Sequence, residues 1–280
     1  MQDFGGQEYS RKAILASSSG RPLLMAIINA TPDSFHKSSR GGGVEEGIAH
    51  FAAGADWVDI GGESTRPGAL PVTIEEELER VIPLVKELSK HGLVSIDTRN
   101  HQVAKKAIAA GAAMINDVSG LRDPLMFDLV VQSGVAVCIM HMQNNPENMQ
   151  ELPQYDDVSQ QVSTELLNTA RRLVDAGHPK ELIHLDPGIG FGKDLNHNIQ
   201  LLQAFDLFRG DEGFSILWGV SRKTMIGQIC DQEDTEDRLA GSLGVAAFAQ
   251  LNGIDILRVH DVREHADFAK VMGRLMEVEK

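Results

Sequence analysis

The chain has 280 residues, 42% of them hydrophobic, and a formal net charge of −14, enough apolar material for one large core or two modest ones. That acidity argues against a phosphate backbone or an anionic membrane surface as the main partner, because both recruit basic patches, and any anionic substrate must be met by a local cluster of cations. Cys138 and Cys230 lie far apart, and neither a CxxC nor an HExxH pattern occurs, which excludes a disulfide framework and a structural zinc site. The N-terminal MQDFGGQEYSRK carries acids and no long apolar core, so it does not read as a secretory signal and a cytoplasmic location is expected.

In chain order, apolar runs rich in strand formers alternate with amphipathic stretches. The runs are LLMAII (23–28), WVDI (57–60), LVSI (93–96), AMI (113–115), AVCIM (136–140), LIHL (182–185), SILWGV (215–220) and DILRV (255–259). Cys138, inside one of them, reads as a small buried hydrophobe. Between them lie helix patterns such as IEEELERVIPLVKELSK, whose Ile74, Leu78, Val81, Ile82, Leu84, Val85 and Leu88 form one stripe, with Pro83 as a candidate kink. Runs this uniformly apolar predict strands covered on both faces, as in a parallel sheet wrapped by helices. Eight such units in one chain predict an α/β fold, a closed (β/α)8 TIM barrel in a single domain over residues 21–280. Residues 1–20 read as a preamble, a candidate hairpin at the barrel floor. The stretch 239–254 is apolar, but its Ala, Gly, Gln and Asn content suits a packed helix better than a membrane span.

Where each run stops, polar groups stand: Asn29, Glu63 to Arg66, Asp97, Asn116 and Asp117, His141, Asp186, Ser221 to Lys223, and Arg258 with His260. In a barrel these strand ends converge on one rim, where barrel enzymes place their chemistry. Each alone reads as a cap or turn residue. Asp97 could cap the helix after SIDTRN, and Asp186 before Pro187 and Gly188 could make a turn. The glycines of GIGFGK suggest a phosphate loop, but Walker A needs glycine where Pro187 stands and Ser or Thr where Asp194 stands. Gly188, Gly190 and Gly192 instead suit a backbone turning closely beside a ligand. Arg258 and His260 alternate along one strand, so both can face the same ligand.

TPDSF, DIGGESTRPGA, SIDT, INDVSG, IMHMQ, DPGIGFGK, GVSRKTMIGQ and RVHDV occur in this order, and over residues 24–264 the chain resembles the dihydropteroate synthase family of folate biosynthesis. The resemblance implies a transferase that condenses 6-hydroxymethyl-7,8-dihydropterin diphosphate with p-aminobenzoate to give 7,8-dihydropteroate and diphosphate. It implies pterin contacts from Asp97, Asn116, Asp186, Lys223 and Arg258, and diphosphate contacts from Asn29, Thr65, Arg258 and His260. Mg²⁺ is expected at Asn29. The p-aminobenzoate contacts would be Thr31, Pro32, Phe35, Arg66, Pro67, Phe191, Lys223 and Thr224, the last standing where the family commonly has serine. A dissociative displacement is expected, with Asp97, Lys223, Arg258 and His260 as its catalytic groups, and so are a homodimer and sensitivity to sulfonamides, which mimic the aminobenzoate. After Phe35 the chain departs from the family's usual Ser-Asp-Gly-Gly continuation, and His36, Lys37 and Arg40 make a basic loop, read as a lid. Two related readings are a corrinoid-dependent methyltransferase's pterin domain and a noncatalytic pterin-binding homologue; the first should lack TPDSF and SRKTMIG, and the second should have lost loop or diphosphate residues.

Overall fold

In a computed structural model, which describes residues 21–30, 42–63, 72–143 and 154–276, each of the apolar runs becomes a strand. They are β1 (Leu23–Asn29), β2 (Trp57–Gly61), β3 (Leu93–Asp97), β4 (Met114–Asp117), β5 (Ala136–Met140), β6 (Ile183–Asp186), β7 (Ser215–Trp218) and β8 (Ile256–Val259). All neighbours are parallel, and β8 pairs with β1 to close the barrel. The helices are α1 (Gly42–Ala53), α2 (Ile74–Leu88), α3 (His101–Ala110), α4 (Pro124–Ser133), α5 (Val158–Asp175), α6 (Leu195–Gln203), α7 (Phe205–Arg209), α8 (Thr224–Cys230), α9 (Leu239–Leu251) and α10 (Val262–Met276). The expected hairpin at residues 1–20 lies outside the described residues.

The alternation of a strand splits the core in two. Leu24, Ala26, Ile28, Val58, Ile60, Val94, Ile96, Ile115, Val137 and Ile139 pack outward in the layer shared with the helices. Their neighbours Leu23, Met25, Trp57, Leu93, Met114, Ala136, Cys138, Leu217 and Ile256 fill the lumen as a separate cluster. The lower lumen is therefore a packed plug, which confines chemistry to its upper mouth.

The helix α2 shows how local sequence sets an element. Thr73 accepts from the Glu76 N–H at 3.2 Å while the Glu76 carboxylate accepts from the Thr73 N–H at 3.3 Å, a capping box that fixes the start. Val81, Leu84, Val85 and Leu88 bury the inner face, and the helix runs through Pro83, which is exposed. Glu63 accepts from Arg99 Nε and Nη2, each at 3.0 Å, and from the Val72 N–H at 3.3 Å.

Candidate functional site

Strand register brings the polar residues to one level. Following the pairing round the barrel, with the stagger of about one residue per strand that closure imposes, places Asp59 of β2, Asn116 of β4, Asp186 of β6 and Arg258 of β8 in one layer on alternate strands. The contacts agree with that count. Arg258 Nε donates to Asp59 Oδ2 at 2.6 Å, and Asn116 Nδ2 donates to the same oxygen at 3.0 Å. Half a layer higher, Asp97 Oδ2 accepts from Arg258 Nη2 at 2.7 Å. Asp97 caps no helix, since Asn100 holds the N-cap position of α3.

Electrostatics in this layer are those of a desolvated cluster. Burial pushes the Asp97 carboxyl up to about 7, with Arg258 opposing and Asp59 adding to the rise. Burial also raises Asp186, against the pull of Lys223 and its own hydrogen bond from Gly188. For Arg258, burial alone would lower the pKa, but Asp59 and Asp97 outweigh it and keep the guanidinium charged. Space above the layer is held open by glycines: a Cβ at Gly219 would sit 3.8 Å from Asp186 Oδ2 and 3.9 Å from Arg258 Cβ, and one at Gly61 3.6 Å from Asp97 Cβ.

The loop after β6 forms one wall. Asp186 Oδ1 accepts from the Gly188 N–H at 2.7 Å, so Asp186 is both a turn residue and a member of the polar layer. Gly188 has φ +68°, and a Cβ there would lie 1.9 Å from the His141 carbonyl oxygen; only glycine can stand in that place. The Lys223 ammonium donates to the Ile189 carbonyl and lies 4.3 Å from the Phe191 ring centroid. Burial lowers the Lys223 pKa to about 8, with Asp186 resisting the fall. Lys193, the lysine of GFGK, is buried and donates to the carbonyls of Phe191 at 2.9 Å, Gly188 at 3.1 Å and His141 at 3.3 Å. These three bonds brace the loop. His141 is pushed down to about 3 by burial and by the positive Lys193 and Arg122, so it is neutral.

At the rim, Asn29 ends β1 with an exposed side chain. His260 follows β8, its Nδ1 3.2 Å from Ser221 Oγ. Arg222 is held by two carboxylates, with Nε 2.9 Å from Asp261 Oδ2 and Nη1 2.6 Å from Glu236 Oε2. These pairs anchor a residue at φ +59° and thereby the turn that carries Lys223. Thr224 is exposed at the start of α8. Thr31, Pro32, Phe35, Thr65, Arg66 and Pro67, and the basic lid expected at His36, Lys37 and Arg40, lie outside the described residues.

Metal chemistry has a narrow place here. Among the described residues no group of three or more His, Cys, Asp or Glu side chains could hold an ion. A single exposed amide at Asn29 suits Mg²⁺ only as an ion that keeps its waters and leans on substrate phosphates.

Asp59 was missed from sequence. It stands inside the run WVDI rather than at its end, two residues above Trp57 on the lumen face. The available signal was a lone carboxylate in an otherwise apolar strand, which must be paired if buried.

Known proteins resemble this chain along most of its length. The family model for pterin binding enzymes matches residues 25–260. The dihydropteroate synthase of Escherichia coli strain K12 is 42% identical over 257 residues, 90% of either chain. Among solved structures, Xanthomonas albilineans dihydropteroate synthase with 4-aminobenzoic acid is 41% identical with a TM-score of 0.84, covering 93% of this chain and 95% of that one. Burkholderia cenocepacia dihydropteroate synthase complexed with 7,8-dihydropteroate is 42% identical with a TM-score of 0.83, covering 91% of each. A polar layer on a plugged barrel, carried by a sequence alike along most of its length, leads to one conclusion: the chain belongs to the dihydropteroate synthase family of pterin-binding enzymes.

Proposed function

We propose that this chain joins 6-hydroxymethyl-7,8-dihydropterin diphosphate to p-aminobenzoate, forming 7,8-dihydropteroate and releasing diphosphate. One observation carries the reading: acceptors from Asp186 and Asn116 and the guanidinium of Arg258 share a level of the lumen above a packed, mostly apolar floor. A flat heterocycle with N–H donors along one edge is the ligand such a slot selects.

In this reading Asp186 and Asn116 accept from the aminopyrimidinone edge, and a charged carboxylate makes the stronger bond. Lys223 donates to the ring's carbonyl and nitrogen acceptors, and Arg258 lies against its face, a use that suits a flat guanidinium. The exocyclic C–O bond breaks, its electron pair leaving with the diphosphate oxygen. Positive charge then spreads from the methylene into the ring, where Asp97 stabilises it. The neutral aromatic amine attacks with its lone pair, forms the C–N bond and loses a proton to water or to the departing diphosphate. No base is needed to free that lone pair, and none is assigned in this reading.

The leaving group would be met by Asn29, Thr65, Arg258 and His260. Mg²⁺, held by Asn29 and the substrate, would neutralise charge on the diphosphate. Phe191, Thr224 and the stem of Lys223 would flank the aminobenzoate together with Thr31, Pro32, Phe35, Arg66 and Pro67, and sulfonamides would compete there. A homodimer belongs to the same proposal, since α9 and α10 pack together and leave Phe248, Leu251, Val271 and Leu275 exposed; light scattering tests it. The activity is tested by following diphosphate release with both substrates, with each alone and with neither. Release that depends on both supports the reading; release from pterin diphosphate alone, or none, overturns it.

A further inference from the structure

The Asp59 carboxylate is fully buried, and one oxygen, Oδ2, receives two donors from opposite sides of the barrel. Its other oxygen, Oδ1, is buried with no partner in the described structure. As a device for stability the carboxylate is costly, because it is buried with one acceptor unmet. What Asp59 does uniquely is impose polarity on its neighbours. An ionised carboxylate only accepts hydrogen bonds. Asn116 must therefore turn Nδ2 toward Asp59, and its carbonyl oxygen Oδ1 is forced to face away. Without that constraint an amide can present either end. The same oxygen takes Nε of Arg258 while Asp97 takes Nη2, and two bonds to different nitrogens fix the plane of the guanidinium.

We propose that Asp59 is a positioning residue for pterin recognition: it fixes Asn116 with its carbonyl oxygen turned away from the carboxylate and sets the plane of Arg258, so that the slot offers an acceptor to a ring edge bearing N–H donors. This rests on the activity proposed above and deepens it, by assigning ligand polarity to a group that does not touch the ligand. With Asp186 as a second acceptor in the same layer, two neighbouring ligand donors are demanded together. A ring offering acceptors at the Asn116 position would meet lone pair against lone pair and bind poorly.

The test compares Asp59→Asn, nearly the same shape without the charge, with Asp59→Ala, each with and without Asn116→Ala. Pterin diphosphate affinity is measured by calorimetry and steady-state kinetics are run for both substrates. The inference expects Asp59→Asn to weaken pterin diphosphate binding by roughly tenfold or more while the KM for p-aminobenzoate stays within about twofold, since a hydrogen bond to a charged group is the interaction lost. It also expects non-additivity: with Asn116→Ala already present, Asp59→Asn should cost less, by the share that acts through Asn116, while the share through Arg258 remains. A general structural defect would instead raise both KM values and add to Asn116→Ala. Should Asp59→Ala fail to fold, Asp59→Asn carries the comparison. Unchanged pterin diphosphate affinity in Asp59→Asn, or full additivity, overturns the inference while leaving the activity intact; a wild-type enzyme that releases no diphosphate overturns the activity itself.

Discussion

Arg258 and Asp59 stand 199 residues apart in the chain and meet at 2.6 Å across the lumen, tying the last strand of the barrel to the second. Through Asp97 the same guanidinium reaches the third strand, so one side chain joins three walls of the proposed site.

Lys223→Ala should reduce turnover by about 100-fold or more, the usual scale for deleting a preorganised group at a reacting centre. The fold should persist, because the residue sits at the mouth and its ammonium meets a loop carbonyl rather than the core. Steady-state rates beside a thermal melt check this; near-normal kinetics in a folded variant would remove Lys223 from the chemistry.

The pH profile of kcat/KM for pterin diphosphate should be bell-shaped. Asp97, raised to about 7 by burial, must ionise to stabilise a cation, so activity climbs as pH rises through that value. Lys223, lowered to about 8 by burial, must keep its proton to donate, so activity declines as pH passes it. Because this parameter reports the free enzyme, Asp97→Asn should abolish the acidic limb and leave the basic one. A flat wild-type profile across roughly pH 6–9 would contradict both assignments.

Asp186→Asn should weaken pterin diphosphate binding by roughly 1.5–3 kcal/mol, the range for a hydrogen bond to a charged group. The turn bond from the Gly188 N–H will hold the amide's oxygen, which aims its NH2 at ligand donors. Calorimetry showing undiminished affinity would place the pterin elsewhere.

For Asn29→Ala, the Mg²⁺ concentration giving half-maximal rate should rise, and excess metal should partly restore activity. The reason is that a hydrated ion loses one weak oxygen ligand and keeps its phosphates. An unaltered Mg²⁺ titration would leave Asn29 as a strand-end residue only.

Gly188→Ala should lower stability by about 2 kcal/mol or more, since a left-handed conformation is strained for a residue with a Cβ. The added atom would also meet the His141 carbonyl oxygen at 1.9 Å. Urea denaturation gives the loss, and the displaced loop should slow turnover further.

The strands were legible because nearly every run is apolar on both faces; their ends moved by one or two residues, as where 215–220 stops at Trp218. Asp97, Asn116 and Asp186 could be picked out because each closes a run or nearly does so. Asp59 could not, because the stagger that closes a barrel makes one horizontal level cut β4 and β6 near their ends but β2 two residues before its own. Arg258 stands one residue before the end of β8, and it was found at that strand end with His260, two cations alternating toward one face. Lys193 carried no usable signal, since a lysine that braces carbonyls and one that binds phosphate look alike in a glycine-rich loop.

The order in which the chain is made gives the cross-lumen pair a further meaning. Asp59 is synthesised 199 residues before its guanidinium partner. Burying the carboxylate before its counterion exists would leave an uncompensated charge in an apolar barrel, at a cost of several kcal/mol. Partial chains are therefore discouraged from sealing β1 to β7 into a premature closed form, and the lumen gains its electrostatic balance only when β8 inserts. Closure of the barrel and assembly of its polar layer therefore become one event.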